Sequence, residues 1–152
     1  NGSVWPHDNS LCLIGMSRLG LKDEALMVVR GLMRAAEHFE YARLPELFCG
    51  YPDTLGRPVP YPVACSPQAW AAGTPLVFLQ VFLGLDPDAP NRLIQLRPAL
   101  PDGMNRLSVR GLRIGSGTLS LTVRRRNGES LPHLEIEHNS TGCELRVLQA
   151  IP

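Results

Sequence analysis

Several functional classes are made improbable by what the sequence lacks. Its 152 residues carry a formal net charge of only +1, so no strong electrostatic field is available to attract nucleic acid or an anionic membrane. Lysine is nearly missing, with Lys22 as its single occurrence. No apolar run is long enough to cross a bilayer. We therefore expect neither a nucleic-acid partner nor a membrane partner.

Motifs for cofactors and metals are missing as well. The chain has no glycine-rich phosphate loop, no Cys/His zinc spacing and no Gly-x-Ser-x-Gly elbow. Its four cysteines show neither a paired pattern nor metal spacing; they are Cys12, Cys49, Cys65 and Cys143. The sequence predicts no cofactor, no metal site, and free, mostly buried thiols in a reducing compartment.

Composition and patterning predict a globular chain that changes character along its length. Apolar residues make up 44% of it, and its size suits one ordinary domain or one and a half small ones. The first half has helical periodicity and the second half has the period of strands. A turn-rich connector covers residues 86–90. We expect a helical part over residues 1–85 and a small antiparallel β domain over residues 86–152.

The first two helices have recognisable ends. Asp8 or Asn9 is a suitable N-cap for a helix that runs to about Leu19, and Gly20 is a suitable residue to end it. A second amphipathic helix is predicted from about Lys22 to Tyr41 by apolar residues that recur at intervals of three and four.

A third helix is predicted from Ser66, a good N-cap, followed by Pro67 at the first helical position. From Leu76 to Leu83 it is apolar nearly all round, with only Gln80 interrupting. A helix without a polar face must be covered on several sides, so we expect it to lie inside a layer of helices.

Four strands are predicted in the second half by alternating apolar residues. They lie near residues 107–114, 119–123, 134–136 and 143–147, and Gly115-Ser116-Gly117 joins the first two as a hairpin. We expect them to form antiparallel pairs with one apolar face.

Glu46 is the first candidate for chemistry. It follows Pro45 and precedes Leu47 and Phe48, which predicts a partly buried carboxylate on a fixed backbone. Such a group can act as a general base that deprotonates water. It can equally be an exposed loop acid that bonds to nearby backbone N–H groups. The residues alone leave both interpretations open.

Two further clusters combine aromatic and planar polar side chains. Trp5, His7 and Asp8 precede a helix, and Gln68 and Trp70 lie at the start of another. Aromatic faces stack on sugar C–H surfaces, while carboxylates and amides bond sugar hydroxyls. The alternative is structural, with Asp8 as a helix cap, Gln68 bonded to the loop and each tryptophan in the core.

Four segments together carry a family resemblance. Gly2–Asn9, Leu44–Phe48, Pro60–Trp70 and Leu96–Pro101 resemble, in order, the C-terminal end of bacterial amylo-α-1,6-glucosidases, which are glycoside hydrolases of the glycogen-debranching type. The resemblance implies a mainly α fold with a C-terminal antiparallel β part, namely the closing helices of an (α/α)6 toroid followed by a small β domain. It implies that Glu46 is the catalytic base, and that substrate is bound by Trp5, His7, Asp8, Gln68 and Trp70.

The resemblance also implies that this chain is one part of a longer bacterial, cytoplasmic enzyme. The general acid of such enzymes comes from an earlier loop, so we expect this chain alone to be inactive. Its expected partners are the N-terminal part of the same protein and an α-glucan or oligosaccharide substrate. The alternatives are a toroid glycosidase that acts on trehalose or mannosylglycerate, and a non-catalytic carbohydrate-binding or assembly module.

Overall fold

A computed structural model describes residues 2–126 and 132–148. This part of the chain contains three α-helices and nine short strands in three small sheets. The expectation of the closing helices of an (α/α)6 toroid, followed by one antiparallel β domain, is therefore wrong. One strand precedes the first helix, and two strands separate the second helix from the third. Prolines recur between the second and third helices, and they disfavour helix there because they lack an N–H group.

The chain divides into two compact units, Asn1–Leu79 and Gln80–Pro152. The first unit holds a three-stranded antiparallel sheet made of β1 (Ser3–Val4), β2 (Phe48–Cys49) and β3 (Val59–Pro60). It also holds two complete helices and the first part of a third, which are α1 (Pro6–Leu19), α2 (Lys22–Ala36) and α3 (Ala69–Leu83).

Helix α1 ends as predicted but begins earlier. Gly20 adopts a left-handed conformation with φ of 77°, and its N–H reaches the last-turn carbonyls. The expectation that Asp8 or Asn9 caps this helix is wrong, because Pro6 already lies at its first position. The side-chain amide of Asn9 instead donates to the carbonyl of Trp5 at 2.8 Å.

Helix α2 packs against α1 and stops well short of the expected Tyr41. Tyr41 and Ala42 have φ of 57° and 52°, inside a short 3-10 turn over Glu40–Ala42. A left-handed backbone cannot continue a right-handed helix, so the chain turns here toward Glu46. The buried face of α2 consists of Ala25, Leu26, Val29, Leu32 and Ala35.

Helix α3 begins at Ala69, so the expected cap at Ser66 is wrong. The side-chain oxygen of Gln68 accepts a hydrogen bond from the Ala69 N–H at 2.8 Å. This helix is covered over only part of its surface, since Leu76 is 72% exposed whereas Phe78 is buried. None of the helices among the described residues has the length and apolar character needed to traverse a lipid bilayer.

The second unit contains two sheets. One is antiparallel, with β6 (Arg106–Ile114), β7 (Gly117–Arg124) and β8 (His133–Asn139), and the predicted hairpin between β6 and β7 is confirmed. The other is mixed, with β4 (Asp86–Asp88), β5 (Leu93–Leu96) and β9 (Glu144–Val147).

The fourth predicted strand does not join its neighbours. β9 pairs in parallel with β5, so the expectation of four antiparallel strands is wrong. β4 also occupies part of the segment expected to be a turn-rich connector. β5 and β7 contribute five fully buried aliphatic residues to the core of this unit, namely Ile94, Leu96, Leu119, Leu121 and Val123.

Candidate functional site

The first sheet brings three of the motif segments to one end. In its register Val4 lies opposite Phe48, and Phe48 lies opposite Pro60. The strands are antiparallel, so the chain leaving β1, the chain entering β2 and the chain leaving β3 all lie at the same end. These segments carry Trp5, Glu46 and the loop that leads to α3. Sequence reasoning did not identify this sheet, which gathers the candidate residues of the first unit.

Glu46 is tied to Cys65 in both directions. The Glu46 N–H donates to the Cys65 carbonyl at 3.0 Å, and the Cys65 N–H donates to Oε2 of Glu46 at 3.0 Å. Glu46 is half-buried between the buried residues Pro45 and Leu47. The main chain therefore holds its carboxylate in place. The interpretation of Glu46 as a loop acid predicted such a bond to a backbone N–H. The remaining lone pairs of the carboxylate are still able to accept a proton from water.

The contact with Glu46 changes the pKa of the Cys65 thiol. The hydrogen bond to Glu46 and the negative charge of its carboxylate raise the pKa of the Cys65 thiol, and desolvation adds to the rise. Cys65 lies within a motif segment, but no spacing in the sequence indicated that it is the partner of Glu46.

His7 is the centre of a second set of contacts. Its ring stacks on that of Trp70, with centroids 4.9 Å apart and an interplanar angle of 19°. Its Nδ1 lies 3.5 Å from Oδ1 of Asp8. Trp70 is 48% exposed, so it is not the core aromatic of the structural alternative. Stacking on His7 holds an indole at the surface, where an aromatic plane is available to a ligand.

The remaining two candidates, Trp5 and Gln68, make local contacts, as the structural alternatives predict in part. Trp5 is half-buried, and its carbonyl accepts from the backbone N–H and the side-chain amide of Asn9. Gln68 is half-buried and bonds the neighbouring Ala69 N–H through its side-chain oxygen. Among the described residues, no hydrogen bond engages the Gln68 amide nitrogen, which remains able to donate to a ligand.

The candidate residues therefore form two separate groups, each held together by its own contacts. One joins Glu46 to Cys65, and the other joins Asp8, His7 and Trp70. Within residues 2–126 and 132–148, no hydrogen bond, ion pair or ring contact connects Glu46 to the second group. Their shared position follows from the sheet register and from Pro60–Trp70, the segment that supplies the partner of each group.

The cysteines and the acidic residues complete the inventory of chemical groups. All four cysteines are free, but Cys12 and Cys65 are exposed and the other two are half-buried, so the expectation of mostly buried thiols is wrong. Across the part of the chain that the structure describes, no group of three or more His, Cys, Asp or Glu residues could hold a metal ion.

No protein-family model matches the chain, and no curated protein sequence matches it.

Proposed function

We propose that this chain supplies the general base and one sugar-binding wall of an inverting α-glucosidase, related to the glycogen-debranching amylo-α-1,6-glucosidases. The observation that carries the proposal is the convergence of three motif segments at one end of the first sheet. Motifs that are far apart along the chain are thereby brought to the same end of the sheet, with a fixed carboxylate in one group and an exposed indole in the other.

Glu46 has the properties that a base for water requires. A base must keep its carboxylate oriented while a water molecule and the sugar approach. The Cys65 N–H fixes Oε2 of Glu46, and the reciprocal bond from the Glu46 N–H fixes its backbone. Water bound to the carboxylate would lose a proton to Glu46 as its oxygen attacks the anomeric carbon, while the glycosidic bond breaks on the opposite face.

The second group is suited to holding a glucosyl unit. The indole of Trp70 offers a flat apolar face for sugar C–H groups, and its stack with His7 limits its rotation. Asp8 is exposed and can accept hydrogen bonds from vicinal hydroxyls. Gln68 and Trp5 lie within the same segments and complete the proposed sugar-binding wall.

An inverting reaction needs a second carboxyl group to protonate the leaving oxygen. In such enzymes the two carboxyl groups are roughly 6.5–9.5 Å apart, which leaves room for the attacking water. The family resemblance assigns that acid to another part of the protein, so we propose that the isolated chain binds sugar without hydrolysing it. Four free thiols favour a reducing compartment such as the bacterial cytoplasm.

The decisive experiment compares Glu46→Gln with the unchanged protein, in the full protein as its gene encodes it. Hydrolysis of an α-1,6-branched glucan should fall by about 10²–10⁴-fold, the range found when a general base is removed. Glu37→Gln is the matched control because Glu37 is an exposed carboxylate at the end of α2, and it should leave the rate unchanged.

Oligosaccharide binding separates catalysis from recognition. Calorimetric titration can report it, because its signal does not depend on the tryptophan that the variant removes. Glu46→Gln should bind the oligosaccharide normally, whereas Trp70→Ala should bind it weakly. Near-normal hydrolysis by Glu46→Gln would remove Glu46 as the base. Binding without any hydrolysis by the full protein would instead identify a carbohydrate-binding module.

A further inference from the structure

A cavity of about 390 Å³ lies in the first unit. Helix α2 forms one wall, and the first sheet and the chain between β2 and β3 form the others. The described residues that line it include none of the candidate residues for glycoside hydrolysis. Its volume is within the range of about 300–1,000 Å³ that is typical of small-molecule sites. The cavity is therefore a second place in this unit where a ligand can bind.

Part of the cavity lining is apolar. Leu32 of α2 and Phe48 of β2 line it, and both are buried in the protein around it. Val59 of β3 adds a half-buried aliphatic surface. Apolar walls favour the flat face of a ring or a short carbon chain over a fully hydrated ion. The ligand should therefore have a body of carbon atoms as well as any charged group.

The charged part of the lining carries more positive than negative groups. Arg34 from α2 and Arg57 from the loop before β3 contribute two guanidinium groups, whereas Asp53 contributes one carboxylate. Arg34 Nη2 donates to Oδ2 of Asp53 at 2.9 Å, and both side chains are largely exposed. Within the described parts of the chain, Arg57 has no hydrogen-bond or ion-pair partner. One guanidinium is thus available without breaking any contact.

We propose that this cavity binds a small organic anion, whose phosphate or carboxylate group is held by Arg57 and Arg34 and whose body packs against Phe48. A guanidinium group presents paired N–H donors that match the oxygens of either acid. Exposed ion pairs contribute little to stability, so an incoming anion can replace Asp53 as the partner of Arg34. This inference goes beyond the proposed glycosidase activity and does not depend on Glu46.

Calorimetric titration of the chain tests the proposal with two probes, glucose 6-phosphate and glucuronate. Arg57→Gln should weaken binding of the preferred probe by about tenfold or more, because it removes a charge-assisted hydrogen bond. Arg18→Gln is the matched control, since Arg18 is an exposed arginine in the last turn of α1 and does not line the cavity. It should bind like the unchanged chain.

A third variant should change affinity in the opposite direction. Asp53→Asn removes the competing carboxylate and frees Arg34, so the preferred probe should bind more tightly. Backbone amide shifts of Gly31 and Gly56, which line the cavity, should move during the titration. Binding of only one probe identifies the acid as phosphate or carboxylate. Failure of both probes to bind, or equal binding by Arg57→Gln, would overturn the proposal.

Discussion

Gly50 follows β2 at a point where the first sheet has no room for a side chain. Its N–H donates to the Gly2 carbonyl at 2.8 Å, and a Cβ atom at Gly50 would overlap that carbonyl oxygen. Because both groups belong to the backbone, the overlap can be relieved only if β1 moves away from β2. Gly50→Ala should lower the free energy of unfolding by roughly 2–4 kcal/mol, from overpacking and the lost hydrogen bond together.

Gly15→Ala is a control with the opposite sign. Gly15 is exposed within α1, and a Cβ atom there would meet no atom within 4 Å beyond the adjacent backbone of the helix itself. Alanine is the better helix former, so this variant should be more stable by about 1 kcal/mol. Urea denaturation followed by circular dichroism measures both changes. If Gly50→Ala proves as stable as the unchanged chain, the close approach of β1 and β2 does not exist in solution.

Two further predictions concern carboxylates and their partners. Glu46→Gln should lower the raised pKa of the Cys65 thiol and so speed its alkylation by iodoacetamide near pH 8. The exposed Cys12 should react at an unchanged rate and serves as the internal reference. An unchanged alkylation rate of Cys65 would contradict its pairing with Glu46. The Thr122 hydroxyl, which donates to Glu137 at 2.6 Å, is the main cause that holds the pKa of Glu137 below that of an ordinary glutamate. Thr122→Val should raise that pKa, as measured by carboxyl NMR titration, and an unmoved titration would exclude the bond. Since the folded pKa is depressed, Glu137 contributes stability above its unfolded pKa and loses it as pH falls through the folded pKa, so Thr122→Val should flatten this acid-side loss.

Local signals in the sequence were sufficient where a few neighbouring residues determine the conformation. Gly20 ends α1 because it adopts a left-handed backbone at no steric cost. The tight turn at Gly115 joins β6 to β7 because the flanking residues alternate with the period of strands. Both features depend on residues that are close together in the sequence.

Distant pairing could not be predicted in the same way. β1, β2 and β3 contain two residues each, too few for any period to appear in the sequence. β9 has strand periodicity, but nothing in its residues indicates that it pairs with β5 and not with β8. The end of α2 was missed because helix-forming residues continue past Ala36, and the left-handed backbone at Tyr41 has no local signal.

The candidate site shows the same division. The motifs indicated candidate side chains for chemistry, because residue types alone show which positions are acids, amides or aromatics. The contact of Glu46 with Cys65 and that of His7 with Trp70 depend on how separate segments meet. The first sheet brings these segments together, and its strands are too short to be predicted from the sequence.

The parallel pairing of β5 with β9 affects how the second unit is made. The β6–β7–β8 sheet lies between these strands in the chain and is built from sequential neighbours, so it can form as soon as it leaves the ribosome. β5 must wait until Glu144–Val147 has been synthesised before one of its edges is paired. Such non-local contacts close slowly. Until then that edge is open to strands of other chains, so translation that stops before β9 should yield an aggregation-prone product.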